Sequence, residues 1–276
     1  MDRIRLIASD MDATLLDEQS QLPADFEETI HALAELGIRF APASGRPLYT
    51  LEAMFPTLQD ELVFIGDNGG AIRWKGQNLF TSEMSPEGWR ALNRLTREQG
   101  DIAVLCGLES AYVERPFAVH DAVLRHFYTK IEYVDRLDDV TAPADKFTIY
   151  LPQHNAQQAY DTVYASQRSI YSVAVAGECW VDIMNPSVHK GAALEVLGRA
   201  WDLPPECMMA FGDTYNDAEM LQTVRYGFLM ENGSEPLRQK VPFLAPSHRE
   251  AGVMQVLHRV LAQNGCVCPE DFVPTH

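Results

Sequence analysis

The sequence predicts an α/β protein in which a parallel sheet, with helices on both faces, is interrupted by an inserted α+β domain. Three observations carry this expectation. Short buried runs ending abruptly in polar residues alternate with helical segments from Leu6 to Ile65. The same alternation resumes at Ser187 and continues to the C-terminal part of the chain. Between them the pattern shifts to half-buried strands, the mark of an antiparallel or mixed sheet with one wet face.

Leu6-Ile7-Ala8 reads as a strand that stops at Ser9-Asp10. Pro23 to Leu36 follows with Phe26, Ile30, Leu33 and Leu36 at helical spacing, ending at Gly37. Ile38 to Ala43 is a second buried strand, leading through Ser44-Gly45-Arg46-Pro47 into a helical Leu48 to Phe55, and Leu62 to Ile65 is a third. A new helix opens near Ser82 to Pro86, and strands such as Lys146–Tyr150 and Tyr171–Ala176 come after it. From Ser187 the expected elements are a helix through Trp201, a strand Met208–Phe211, a helix from about Asp217, a strand Tyr226–Met230 and a last helix Arg249–Ala262. The simplest organisation is a discontinuous core, residues 1–83 and 188–276, with residues 84–187 inserted as a lid.

Charge narrows the function. Asp and Glu number 39 against 22 Lys and Arg, a net charge of −17. That balance repels a nucleic-acid backbone and anionic lipid, so neither nucleic acid nor membrane is an expected partner. A site that handles an anionic ligand here needs its own local cations. The five cysteines form neither a paired framework nor a metal pattern and read as reduced thiols of a cytoplasmic protein. The N-terminus runs straight into a strand without a signal-peptide pattern, and no run of eighteen apolar residues occurs.

Ligands of parallel α/β sheets bind at the carboxyl ends of strands, and four such ends are informative. In Asp10-Met11-Asp12-Ala13-Thr14 two closely spaced carboxylates raise each other's pKa unless a cation lies between them, and Mg²⁺ suits such oxygen ligands. An acidic turn is the plain alternative. Ser44-Gly45-Arg46-Pro47 offers a hydroxyl and backbone N–H groups for a phosphate, although Ser as N-cap with Pro in the first turn is also ordinary helix grammar. Lys190 stands at the start of a helix, where the dipole disfavours a cation, so a buried Lys there calls for an anion. Its neighbour His189 reads as a solvated residue. In Gly212-Asp213-Thr214-Tyr215-Asn216-Asp217, Thr214 and Asp217 have the spacing of a capping box, which leaves Asp213 and Asn216 unexplained.

Taken together, these residues resemble the haloacid dehalogenase superfamily, specifically its Cof-type sugar-phosphatase group with a large α/β cap. The DxDxT of Asp10, Asp12 and Thr14, then Ser44, Lys190 and the GDxxND of Gly212 to Asp217 occur in the family's order. Asn68-Gly69-Gly70, Tyr226-Gly227, Met230, Asn232 and Gly233 are further matches, and together they span the core. The resemblance implies a Rossmann-like core with an inserted cap that sets specificity. It also implies a Mg²⁺-dependent hydrolase acting on small phosphorylated metabolites through an aspartyl-phosphate, as a monomer or homodimer.

The resemblance makes Asp10 the nucleophile and a metal ligand, and Asp12 the general acid and base. Ser44, Gly45, Arg46, Lys190 and Asn216 would bind phosphate or substrate. Asp10, Asp12, Asp213 and Asp217 would hold the metal. A phosphomutase on the same fold and a non-catalytic phospho-metabolite sensor are the alternatives. One position departs from the family pattern, since the usual Gly after the second Asp is Ala13. If that loop needs a conformation reserved for Gly, Ala costs about 1 kcal/mol or more.

Overall fold

The computed structural model describes residues 1–275. They form two compact units: Met1–Gly45, Phe55–Leu79 and the stretch from His189 onward make the first, and Arg46–Met54 with Phe80–Val188 the second. The short helix Leu48–Glu52 therefore goes with the second unit.

In the first unit, six parallel strands lie in the spatial order Val63–Gly66, Arg39–Ala43, Leu6–Asp10, Met208–Gly212, Tyr226–Met230, Phe243–Ala245. Numbered along the chain this is 3-2-1-4-5-6. The order reverses between Leu6–Asp10 and Met208–Gly212, which opens a crevice at the carboxyl ends of those two strands. Every residue of Leu6–Asp10, Met208–Gly212 and Tyr226–Met230 is buried, as a sheet covered on both faces requires. Helices Phe26–Glu35 and Gly252–Ala262 pack as one pair, Lys190–Trp201 and Ala218–Thr223 as another.

Antiparallel strands close both edges. Ala71–Trp74 and Gln77–Thr81 extend the sheet beyond Val63–Gly66, and Val273–Pro274 pairs with Phe243–Ala245. Between the first two, Lys75 (φ 50°) and Gly76 (φ 71°) supply the pair of positive φ angles that a two-residue hairpin demands. This hairpin was absent from the sequence reading.

The second unit holds a six-stranded sheet, ordered Ser172–Val175, Trp180–Met184, Ala144–Tyr150, Ile102–Gly107, Ala111–Glu114, Ile131–Val134. Its pairs are antiparallel except the last. Helix Pro86–Gln99 begins with Ser85 as N-cap and Pro86 at its first position, and ends at Gly100 with φ 75°. Its Trp89 and Leu92 pack with Phe147, Ile149, Val181 and Ile183 on one face of the sheet.

The expected wet face is not found on the central strands, where Ile102–Gly107, Ala144–Tyr150 and Trp180–Met184 are buried throughout. The reason is a second cluster on the other face, in which Leu124 and Tyr128 cover Val104, Cys106, Tyr150 and Trp180. At the far end of this unit Asn185 Nδ2 donates to the carbonyls of Ser82 (3.2 Å) and Glu83 (2.8 Å) at its near end. No helix among the described residues is long and apolar enough to cross a membrane.

Candidate active site

Leu6–Asp10 and Met208–Gly212 run in register, Ser9 opposite Phe211, so Asp10 and Asp213 emerge side by side in the crevice where the strand order reverses. Lys190, the first residue of its helix, is 0% exposed. Its Nζ lies 2.5 Å from Asp10 Oδ1 and 2.7 Å from Asp217 Oδ1. The anion that a buried Lys at a helix start calls for is thus supplied twice, by two carboxylates of the chain itself.

The helix is anchored at that end by two neighbours. His189 is its N-cap rather than a solvated bystander, with Nδ1 accepting from the Ala192 N–H at 3.1 Å. Gly69 has φ 98°, and a Cβ there would lie 2.5 Å from the His189 carbonyl oxygen. Only Gly lets that loop approach the helix start.

Asp217 serves structure and charge together. Its Oδ2 accepts from the N–H groups of Asp213 (3.0 Å) and Thr214 (3.2 Å), completing a capping box with Thr214, while Oδ1 faces Lys190. The carboxylate folds back over Gly212, where a Cβ would be 2.4 Å from that of Asp217.

Asp10, Asp213 and Asp217 each offer an oxygen within 4.8 Å of the others, and all three residues are buried. Burial raises Asp10, the Asp217 carboxylate raises it further, and Lys190 only partly offsets them, leaving it at about 7. Burial and Asp217 likewise push Asp213 up to about 6. Burial would lower Lys190, but Asp10 and Asp217 outweigh it and hold the ammonium above its ordinary range.

Three carboxylates around one ammonium leave a deficit of positive charge in a largely buried site. A hard divalent cation such as Mg²⁺ matches both that deficit and the all-oxygen donor set. Asp10, Asp213 and Asp217 are the residues that could hold it. Both oxygens of Asp217 already have partners.

The remaining sequence-derived residues are distributed unevenly. Ser44 follows the strand next to Asp10, with Asp10 opposite Ala43, and is 3% exposed. It is not a helix cap, because the helix is only Leu48–Glu52 and has Pro47 at its N-cap. Instead its N–H donates to Ile65 and its carbonyl accepts from the Asn68 N–H, both at 2.9 Å. Gly45 abuts the Asn68 amide, 3.2 Å from where a Cβ would be.

Arg46 belongs to the second unit and Asp12 is exposed, outside the carboxylate group. Asn216 is also exposed and accepts from Thr214 Oγ1 at 2.5 Å. Ala13 adopts φ 57°, ψ 14°, the left-handed conformation that disfavours a Cβ. Asn232, given no role from the sequence, donates from Nδ2 to the Ala13 carbonyl at 2.9 Å. In the sequence it is one of the family-like positions, two residues after the strand Tyr226–Met230, with no partner indicated.

A family model described as haloacid dehalogenase-like hydrolase matches residues 7–257. Among curated proteins, the chain is similar to the 5-amino-6-(5-phospho-D-ribitylamino)uracil phosphatase YbjI of Escherichia coli, 30% identical over 94% of this chain and 96% of that one. It is similar also to the HMP-PP phosphatase of Cronobacter sakazakii, 29% identical over 87% and 89%. Among solved structures, SMU.1108c from Streptococcus mutans superposes with a TM-score of 0.83 at 27% identity, covering 94% of this chain and 99% of that one.

Proposed function

The chain belongs to the haloacid dehalogenase-like hydrolases, and on that premise we propose that it is a Mg²⁺-dependent phosphatase of small phosphorylated metabolites. The carrying observation is the Asp10–Lys190–Asp217 cluster with Asp213 beside it, at the strand ends where the sheet order reverses.

The mechanism follows from positioning and charge. Lys190 and Ser44 hold the phosphoryl oxygens, and Lys190 keeps Asp10 oriented and favours its ionised form. An Asp10 carboxylate oxygen attacks phosphorus in line with the ester oxygen, the bond to that oxygen breaks, and Asp12 gives its proton to the departing alkoxide. The phosphorylated Asp10 is then hydrolysed: Asp12, now a carboxylate, takes a proton from water, whose oxygen attacks phosphorus and releases phosphate and free Asp10. Asp10 and Asp213 would hold Mg²⁺, which when bound would neutralise phosphoryl charge and lower the Asp10 pKa. Asp217 acts from behind, fixing Lys190 and the Asp213 backbone.

The relatives' names support a small phosphate ester as substrate, and a phosphorylated ribitylaminouracil is the first compound to try. The test is a panel of phosphate monoesters assayed with and without Mg²⁺, on the parent and on Asp10→Asn. Turnover by the parent alone, lost with EDTA, is expected. Activity surviving in Asp10→Asn defeats the mechanism.

A further inference from the structure

We infer that Asn232 is a positioning residue, which sets the general acid Asp12 by gripping the backbone immediately beyond it; this rests on the phosphatase reading above. Asp12 sits between buried Met11 and left-handed Ala13, its own backbone extended at φ −73°, ψ 132°. Its side chain is exposed and lies outside the Asp10–Asp213–Asp217 group, although its charge reaches Asp213. What fixes the loop is the turn at Ala13, and Ala enters that conformation only where its surroundings impose it.

Asn232 supplies the constraint. Its Nδ2 donates to the Ala13 carbonyl at 2.9 Å, and its Oδ1 accepts from the His248 N–H at 3.0 Å. One partner is solely an acceptor and the other solely a donor, so a carboxamide in a single orientation satisfies both. Aspartate has no donor for Ala13, and leucine has neither group.

The side chain therefore ties together the segments that follow three strands: Leu6–Asp10, Tyr226–Met230 and Phe243–Ala245. Nearby contacts reinforce the tie. Ser234 N–H donates to the Asp213 carbonyl at 2.7 Å, and Arg249 pairs with Glu18 at 2.6 Å. The loop that begins at Asn232 thus buttresses both the Asp12 turn and the Asp213 backbone, through different groups.

A residue that merely stabilised the fold would affect all substrates alike. A residue that aims Asp12 acts on the transfer of phosphate to Asp10 only where the leaving oxygen needs a proton. That step, unlike the later hydrolysis common to both esters, is what kcat/KM reports. The experiment compares kcat/KM for ribose 5-phosphate, whose alkoxide is a poor leaving group, and p-nitrophenyl phosphate, whose phenolate departs unprotonated, in the parent, Asn232→Ala and Asn232→Asp.

Both variants should lose about tenfold or more in kcat/KM on the sugar phosphate and less than about threefold on the aryl phosphate. Amide hydrogen exchange across Met11–Leu16 should quicken in both, which reads the same contact without turnover. Equal losses on the two esters, full retention on the sugar phosphate, or unchanged exchange in that segment overturns the inference. A parent that turns over neither ester overturns the phosphatase reading instead. Should Asn232→Ala fail to fold, the near-isosteric Asn232→Asp carries the comparison.

Discussion

Lys190 and Asp217 face each other at 2.7 Å with neither side chain exposed to solvent, while Asp217's other oxygen accepts two backbone N–H groups. Asp217 is thus a rigid abutment, and Lys190 reaches from it to Asp10. Removing either partner leaves a buried charge uncompensated.

Lys190→Met should therefore destabilise the protein by about 3–5 kcal/mol and abolish turnover, since Asp10 and Asp217 lose their shared counter-ion. Lys190→Arg should recover part of the stability and little of the rate, because a planar fork does not fit a pocket closed around an ammonium. Urea denaturation together with kcat measures both. Parental stability in Lys190→Met contradicts the burial argument.

Asp213→Asn and Asp217→Asn should separate metal affinity from stability. The first removes a proposed metal ligand, so Mg²⁺ affinity by calorimetry should fall with little change in melting temperature. The second places an amide NH₂ against either Lys190 or the N–H groups of Asp213 and Thr214. Donor then meets donor, and stability should drop by about 1–3 kcal/mol.

Stability without metal should vary with pH in a defined direction. Asp10 at about 7 and Asp213 at about 6 both stand above the ordinary 3.8, so the folded state binds their protons more tightly than the unfolded one. Their contribution is fully present below pH 3.8 and is lost as pH rises through about 6 and 7. Mg²⁺ competes with those protons, so the rise in melting temperature on adding it should be larger at pH 8 than at pH 5.5. An equal rise at both values contradicts metal binding at these carboxyls.

Ala13→Gly should stabilise the protein by about 1 kcal/mol, or about 2–4 °C in melting temperature, by relieving the left-handed strain. The rate should change less than about threefold, because Asn232 still holds the carbonyl at that position. A scanning calorimeter and a kcat measurement decide it, and a lower melting temperature refutes the strain.

The strands Leu6–Asp10 and Met208–Gly212 were legible because each is an apolar run that stops at an Asp, and Lys190 because a cation at a helix start needs a reason. The Ala71–Thr81 hairpin was hidden by its turn, where Lys75 takes a positive φ that sequence rules assign to Asn, Asp or Gly. Ser44 resembled a helix cap, but the chain runs on to Pro47 before turning. The twofold duty of Asp217 could not be separated in the sequence, since one carboxylate satisfies a capping box and a charge cluster with different oxygens. Asn232 was matched without a role because its partners lie at Ala13 and His248, and only folding reveals that pairing.

The contacts of Asn185 with Ser82 and Glu83 join positions 103 and 102 residues apart in the chain. A segment clasped at its own base behaves, for the rest of the polypeptide, as a short connection of fixed span. Chain-closure entropy grows only with the logarithm of loop length, about 0.6 kcal/mol per doubling, and a clasp of this kind removes most of even that dependence. The clasped segment is in this sense a cassette. Insertions, deletions and rewritten surfaces between Glu83 and Asn185 can accumulate without altering the register of the strands that carry Asp10 and Asp213.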